Sequence, residues 1–134
     1  WQDGLRSLLN FTDRCEIVGC DMVLDALDAD TGQEDPFTYM ADRLLRNTSN
    51  GAGENRINAV LKYARELDAD GIVWFCHWGC KQTAGSSSAA KKILEEKGFP
   101  TLILDGDGCS RQNANDGQAV TRMEAFLELL EKRK

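Results

Sequence analysis

The sequence predicts an α/β fold with a mostly parallel sheet, and three observations carry that prediction. Two short apolar runs, Ile72 to Phe75 and Thr101 to Leu104, have the length of buried strands. Segments with apolar residues at helical spacing flank them. Each strand is a continuous apolar run rather than an alternating one, which fits parallel strands joined by crossover helices and covered on both faces. A third run, Met22 to Leu24, predicts a further strand nearer the N-terminus.

In chain order, Leu5, Leu8 and Leu9 recur at helical spacing and predict a helix from Asp3 to Arg14. The strand Met22 to Leu24 ends at Asp25. Ala26 to Glu34 is acidic, with a turn signal at Thr31-Gly32. Asp35-Pro36 supplies an N-cap carboxylate followed by proline at the first helical position. Phe37, Met40, Ala41, Leu44 and Leu45 then share one helical face. After a polar loop, Asn47 to Gly53, a second amphipathic helix carries Ile57, Val60, Leu61, Ala64 and Leu67. The strand Ile72 to Phe75 follows. Ser86 to Ser88 offer N-caps to a helix with the apolar face Ala89, Ala90, Ile93 and Leu94, closed by Gly98. Pro100 introduces the strand Thr101 to Leu104, which opens into Asp105-Gly-Asp-Gly-Cys-Ser-Arg. A long loop to Gly117 leads to a last helix, Gln118 to Lys132, with Lys132 and Arg133 at the negative end of its dipole.

The length of 134 residues is enough for one domain with its own core. A net charge of −6 argues against a nucleic-acid or anionic-membrane partner, because both select basic patches. No apolar run approaches the roughly 20 residues of a membrane span, and no signal peptide is visible. Five cysteines without regular spacing argue against a disulfide framework and for thiols or metal ligands in a reducing, cytoplasmic setting. The start at Trp1, without methionine, points to a processed chain or a piece of a longer one.

Right-handed crossovers would bring the loops after Leu24, Phe75 and Leu104 to one edge of the sheet, where open α/β sheets bind ligands. That edge would collect Asp25, Asp28, Cys76, His77, Cys80, Asp107, Cys109 and Arg111. Buried cysteines are mostly inert, and Cys15 and Cys20 are read as structural. Cys76 continues a strand into the core, a single histidine is more often a hydrogen-bonded structural residue than a ligand, and Trp74 and Trp78 are read as packing residues. Cys80 differs. It lies past the strand, between Gly79 and Lys81, where a cation favours the thiolate that zinc or an iron–sulfur cluster requires. Cys76 and Cys80 are separated by three residues, which matches neither a zinc pair nor the C-x-x-C of dithiol oxidoreductases. Gly106 to Gly108 offers amides to a phosphate, yet it lacks the Lys-Ser/Thr of a P-loop, and its acidic residues oppose an anion.

Several motifs fall in a familiar order: Phe75-Cys-His-Trp-Gly-Cys-Lys-Gln-Thr, then Gly98-Phe-Pro-Thr-Leu-Ile-Leu-Asp-Gly-Asp-Gly-Cys, then Gly117-Gln and Thr121-Arg-Met-Glu-Ala-Phe-Leu-Glu. With Asp35-Pro-Phe and Met40-Ala-Asp-Arg-Leu-Leu, they resemble the C-terminal region of the 2-hydroxyglutaryl-CoA dehydratase D-component family. That family includes 2-hydroxyacyl-CoA dehydratases, benzoyl-CoA reductase subunits and double-cubane cluster proteins. The resemblance implies that residues 1–134 are a single α/β domain, the C-terminal part of a larger subunit. It implies a three-layer flavodoxin/Rossmann-like architecture that lacks its first strand before Asp3. It further implies a [4Fe-4S] cluster held by cysteines dispersed along the full-length protein, with Cys80 the last ligand and Lys81 beside it at the cofactor site. Asp28 stands where an earlier family cysteine is expected, and Ser110 where the following loop carries aspartate, so no cluster is expected in the isolated chain. The implied partners are an acyl-CoA substrate, an ATP-dependent activator, and a sister subunit or second copy, in cytoplasmic, anaerobic metabolism. In the implied lyase chemistry, one low-potential electron reaches the thioester carbonyl. The resulting ketyl radical expels a hydroxyl group, or an aromatic ring is reduced. Two further readings stay open: a non-catalytic paralogue or fragment that keeps the fold without the cluster, and a thiol-redox or small-ligand domain using Cys76, His77 and Cys80.

Overall fold

The two apolar runs of the second half form strands β1 (Ile72–His77) and β2 (Thr101–Gly106). They pair in parallel, from Ile72 against Thr101 to His77 against Gly106. The computed structural model describes residues 3–9, 12–24, 35–113 and 116–133. These fall into two compact units, one from Trp1–Val18 with Ala69–Lys134, the other Gly19–Asp68. Each strand runs two residues beyond its apolar run. Backbone pairing continues past the last apolar side chain, and Trp78 N still donates to Gly106 O at 2.9 Å.

Within the larger unit, helices α1 (Asp3–Leu9), α5 (Lys81–Glu96) and α6 (Asp116–Glu131) cover the strands; α2 to α4 belong to the smaller unit. Parallel register puts Ile72, Trp74 and Cys76 on one face, with Thr101 and Ile103. Helix α5 lies on that face: Trp74 Nε1 and Cys76 Sγ both donate to Thr83 O, at 3.3 and 3.4 Å. Leu102 and Leu104 point to the other face. There Leu5, Leu104, Ala119, Met123, Phe126 and Leu127 form one buried cluster. The α6 members recur at i, i+4, i+7 and i+8, so one helical stripe supplies most of this core. A side chain on Gly71 would meet Phe126 Cζ and Leu130 Cδ2 at 2.9 Å, so α6 also closes over the start of β1. Further along that face Val73 and Phe75 keep 42% and 40% of their surface exposed. Both faces of the pair are thus covered as the sequence leads one to expect, but only in part: Leu102 and Ile103 are half-buried, and Val73, Phe75 and Asp105 are exposed. Arg122 of α6 donates to Ile103 O, satisfying a carbonyl on the side of β2 turned away from β1.

Three sequence expectations are corrected here. Helix α5 begins at Lys81, with Cys80 as N-cap, and not at Ser86 to Ser88. The serines sit inside the helix and return their hydroxyls to it: Ser86 Oγ donates to Gln82 O and Ser87 Oγ to Ala84 O, at 2.6 and 2.8 Å. Helix α1 is described over Asp3–Leu9 and the chain is no longer helical at Thr12, short of the expected Arg14; Thr12 Oγ1 and Cys15 Sγ both donate to the carbonyl of Leu8, at 3.2 and 3.3 Å.

The third correction lies in the smaller unit. Met22 to Leu24 is not a strand but the core of a short helix, α2 (Asp21–Leu24). Three apolar residues do not distinguish the two periodicities. Val23 N donates to Cys20 O at 2.9 Å, and Met22 and Val23 are 81% and 63% exposed, unlike residues of a buried strand. Arg56 Nε binds Asp21 Oδ2 at 2.7 Å and so ties α2 to α4 (Gly53–Glu66). Helix α4 buries Ile57, Leu61, Tyr63 and Ala64. Helix α3 (Pro36–Arg46) forms with the expected Asp35 cap, yet none of its residues is buried. The acidic segment from Ala26 to Glu34 lies outside the described residues.

Candidate functional site

Parallel pairing sends β1 and β2 out of the sheet side by side, so the residues just past His77 and Gly106 share one edge. After β1, Gly79 turns the chain with φ +78°, and Cys80 N donates back to His77 O at 3.0 Å. That tight turn places Cys80, half-buried, at the N-cap of α5, with Lys81 exposed as the first helical residue. The first turn of a helix directs unpaired amides and a partial positive charge outward.

After β2, Asp107 organises its own loop. Its Oδ1 accepts from Cys109 N at 2.8 Å and Ser110 N at 3.1 Å, and its Oδ2 accepts from Asn113 Nδ2 at 2.8 Å. These donors, Asn113 foremost, hold the Asp107 carboxyl below the usual carboxylate range. The loop then meets β1. Gly108 N donates to His77 Nδ1 at 2.9 Å, so in the neutral ring the proton is assigned to Nε2. That nitrogen faces Cys109 Sγ at 3.9 Å, and His77 Nδ1 lies 3.8 Å from Asp107 Oδ1. The donor atoms of His77, Asp107 and Cys109 all lie within 4.8 Å of one another. Beside this group Trp78, Asp105, Asn113, Gln118 and Arg122 line a shallow cleft, where Arg122 Nη1 is bound to Asp105 Oδ1 at 3.2 Å.

Of the residues expected at this edge, the structure brings together His77, Asp107 and Cys109, and it places Cys80 and Lys81 at the strand-to-helix turn. Cys76 is not at the edge: it is 5% exposed with its sulfur turned to Thr83 O, a core position. Asp25 and Asp28 lie outside the described residues, as does the side chain of Arg111. Cys15 packs half-buried against the α6 core, and Cys20 is exposed. The sequence places His77, Asp107 and Cys109 at one edge, but only the structure shows that they meet. Its available signal was positional, since each lies at or just past the end of one of two adjacent parallel strands.

The donor set bears on the implied iron–sulfur cluster. None of the five cysteines is in a disulfide. A cubane takes about four cysteine thiolates. Cys76 turns into the core, Cys109 stands against His77 and Cys15 packs against the α6 core, so among the described residues of the larger unit Cys80 offers one thiol at the edge and no further thiols gather into a ligand set with it.

The profile of the family described as "2-hydroxyglutaryl-CoA dehydratase, D-component" matches residues 1–130. The chain is 27% identical over 93 residues to lactoyl-CoA dehydratase subunit alpha of Anaerotignum propionicum, covering 69% of this chain and 22% of that protein. It is 34% identical over 71 residues to (R)-phenyllactyl-CoA dehydratase beta subunit of Clostridium sporogenes, covering 53% of this chain and 18% of that protein. The chain thus spans about a fifth of the length of these relatives (22% and 18%). Among the described residues no helix is long and apolar enough to cross a membrane. With a match from the first residue to the last helix, the chain belongs to the 2-hydroxyglutaryl-CoA dehydratase D-component family.

Proposed function

We propose that this chain is the C-terminal part of a cytoplasmic 2-hydroxyacyl-CoA dehydratase-type lyase subunit, in which Cys80 is one ligand of a [4Fe-4S] cluster completed by cysteines elsewhere in the full-length protein. The observation that carries the reading is the placement of Cys80. It sits half-buried at the turn between β1 and α5, on the edge where parallel sheets bind ligands. The two relatives, both described as CoA-ester dehydratase subunits, support an acyl-CoA substrate and a sister subunit or second copy as partner.

A bound cluster would supply one-electron chemistry at low potential, serving ketyl-radical dehydration or reduction of the thioester with an electron from an ATP-dependent activator. The contribution of this chain is positional. Gly79 sets the turn, β1 fixes the height of Cys80 above the sheet, and the α5 amides with Lys81 favour an anionic sulfur and an anionic ligand. Buried Trp74 and Cys76 anchor the first turn of α5 through Thr83 O, so Cys80 rests on a rigid support.

The test is a paired comparison in the full-length protein, reading iron content and melting temperature of Cys80→Ser and Cys76→Ser. Cys80→Ser should lose iron and activity with little change in melting. Cys76→Ser should keep its iron and lose about 1 kcal/mol or less, because a serine hydroxyl can still donate to Thr83 O. Full iron in Cys80→Ser together with early melting would make Cys80 a core residue and end the assignment.

A further inference from the structure

We propose that His77, Asp107 and Cys109 form a three-ligand site for one divalent cation of the zinc class, built without Cys80 and independent of the iron–sulfur reading. Imidazole nitrogen, carboxylate oxygen and thiolate sulfur are the three donor types that zinc accepts, and three protein ligands leave a fourth position for water or a ligand oxygen. The distances are close to what such an ion needs. On a tetrahedral zinc, a nitrogen and a sulfur ligand stand about 3.6 Å apart. His77 Nε2 and Cys109 Sγ stand 3.9 Å apart, so a movement of a few tenths of an ångström completes the pair. One donor atom from each of the three residues lies within 4.8 Å of the others, and the Asp107 carboxylate stands 3.8 Å from His77 Nδ1, so the ring or the carboxylate must turn for all three donors to meet one ion.

The supports are already present. Asp107 is held ionised and oriented by Asn113 and by the amides of Cys109 and Ser110, the kind of outer partners that tune a metal ligand. His77 closes β1 and Asp107 follows β2, so two of the donors stand at the ends of hydrogen-bonded strands. One feature opposes the ion. Gly108 N–H donates to His77 Nδ1, which leaves the proton on Nε2, the nitrogen nearest Cys109. An ion at Nε2 displaces that proton and requires a hydrogen on Nδ1, so the Gly108 bond must break. A single neutral hydrogen bond is a small loss against three metal–ligand bonds, and its rupture gives binding a local signature at the Gly108 amide. Binding also releases the Cys109 thiol proton to solvent.

The experiment is a Co2+ titration of the metal-free, reduced 134-residue chain under anaerobic conditions. The expected result is one equivalent bound, with a near-ultraviolet thiolate-to-cobalt band and visible bands of tetrahedral intensity, displaced by one equivalent of Zn2+. The Gly108 amide resonance should shift in step. Cys109→Ser should abolish the thiolate band and weaken binding beyond the roughly 10- to 100-fold that disturbing an outer partner costs. His77→Gln should weaken binding similarly, while Cys80→Ser and Cys20→Ser should titrate like the parent chain. Cys109 is exposed, so Cys109→Ser leaves packing intact and decides the matter even if His77→Gln folds poorly. A thiolate band that survives Cys109→Ser, a band lost in Cys80→Ser, or no stoichiometric binding would each overturn the site.

Discussion

Gly79 shows how one residue's backbone governs the placement of a functional side chain. Its φ of +78° lies in the left-handed region, while an added Cβ would meet nothing within 4 Å. The need for glycine is therefore conformational and not steric. Gly79→Ala should cost about 1–2 kcal/mol, the ordinary penalty of that region for an L-residue. Gly79→Asn should cost less, because asparagine tolerates the conformation. Urea denaturation of the three proteins checks the order, and an alanine variant as stable as the parent would show that the turn relaxes. The same turn brings Cys80 N onto His77 O, so a relaxed turn would also move the Cys80 thiol. His77 is tied at its ring as well as at its carbonyl, since Nδ1 receives Gly108 N. One residue thereby links the Cys80 turn to the Asp107 loop.

At the scale of the element, helix α3 owes its start to one carboxylate. Asp35 Oδ2 accepts from Thr38 N at 3.0 Å, and Oδ1 from Phe37 N at 3.3 Å. The Thr38 hydroxyl, followed by these two amides, holds the Asp35 carboxyl below its usual range. A depressed folded value stabilises above the ordinary carboxylate value, and the contribution disappears as pH falls through the folded value. The stability difference between the parent and Asp35→Asn, which caps without titrating, should be constant at neutral pH and change only on the acid side. Circular dichroism across that window tests it, and a difference that persists unchanged into strong acid would show that the carboxylate is not the cap. This cap was legible because Asp-Pro is a local signal. The strands were legible for a similar reason, since Ile72 to Phe75 and Thr101 to Leu104 are apolar without interruption. The start of α5 was not. Lys81 to Ser88 is small and polar and reads as loop, and what makes it helical includes Thr83 O, which is held by Trp74 and Cys76 from another element. The meeting of His77 with Cys109 was hidden for the same reason, since pairing of β1 with β2 creates it.

At the scale of the whole molecule, the larger unit is discontinuous, with Trp1–Val18 joined to Ala69–Lys134. An ion pair and an apolar cluster both tie its first segment to α6. Arg14 Nε meets Glu131 Oε1 at 2.9 Å, but the side chains are 45% and 52% exposed, and such pairs contribute only about 0–1 kcal/mol. Leu5 is 4% exposed within the cluster of Leu104, Met123 and Phe126, and replacing a buried leucine by alanine costs about 2–5 kcal/mol. The apolar contact therefore dominates, and the chain offers a clean way to see it. All three tryptophans, Trp1, Trp74 and Trp78, belong to the larger unit, and Gly19–Asp68 has none. Trp74, 3% exposed beneath α5, lies on the opposite face of the sheet from Leu5. If the first segment is part of one cooperative core, Leu5→Ala should move the whole tryptophan unfolding transition to lower denaturant by about 2–5 kcal/mol, although Trp74 does not touch Leu5. Arg14→Gln should move it by less than about 1 kcal/mol. An unmoved tryptophan transition, preceded in Leu5→Ala by a separate loss of helical signal, would mean that α1 and α6 part from each other before the sheet unfolds.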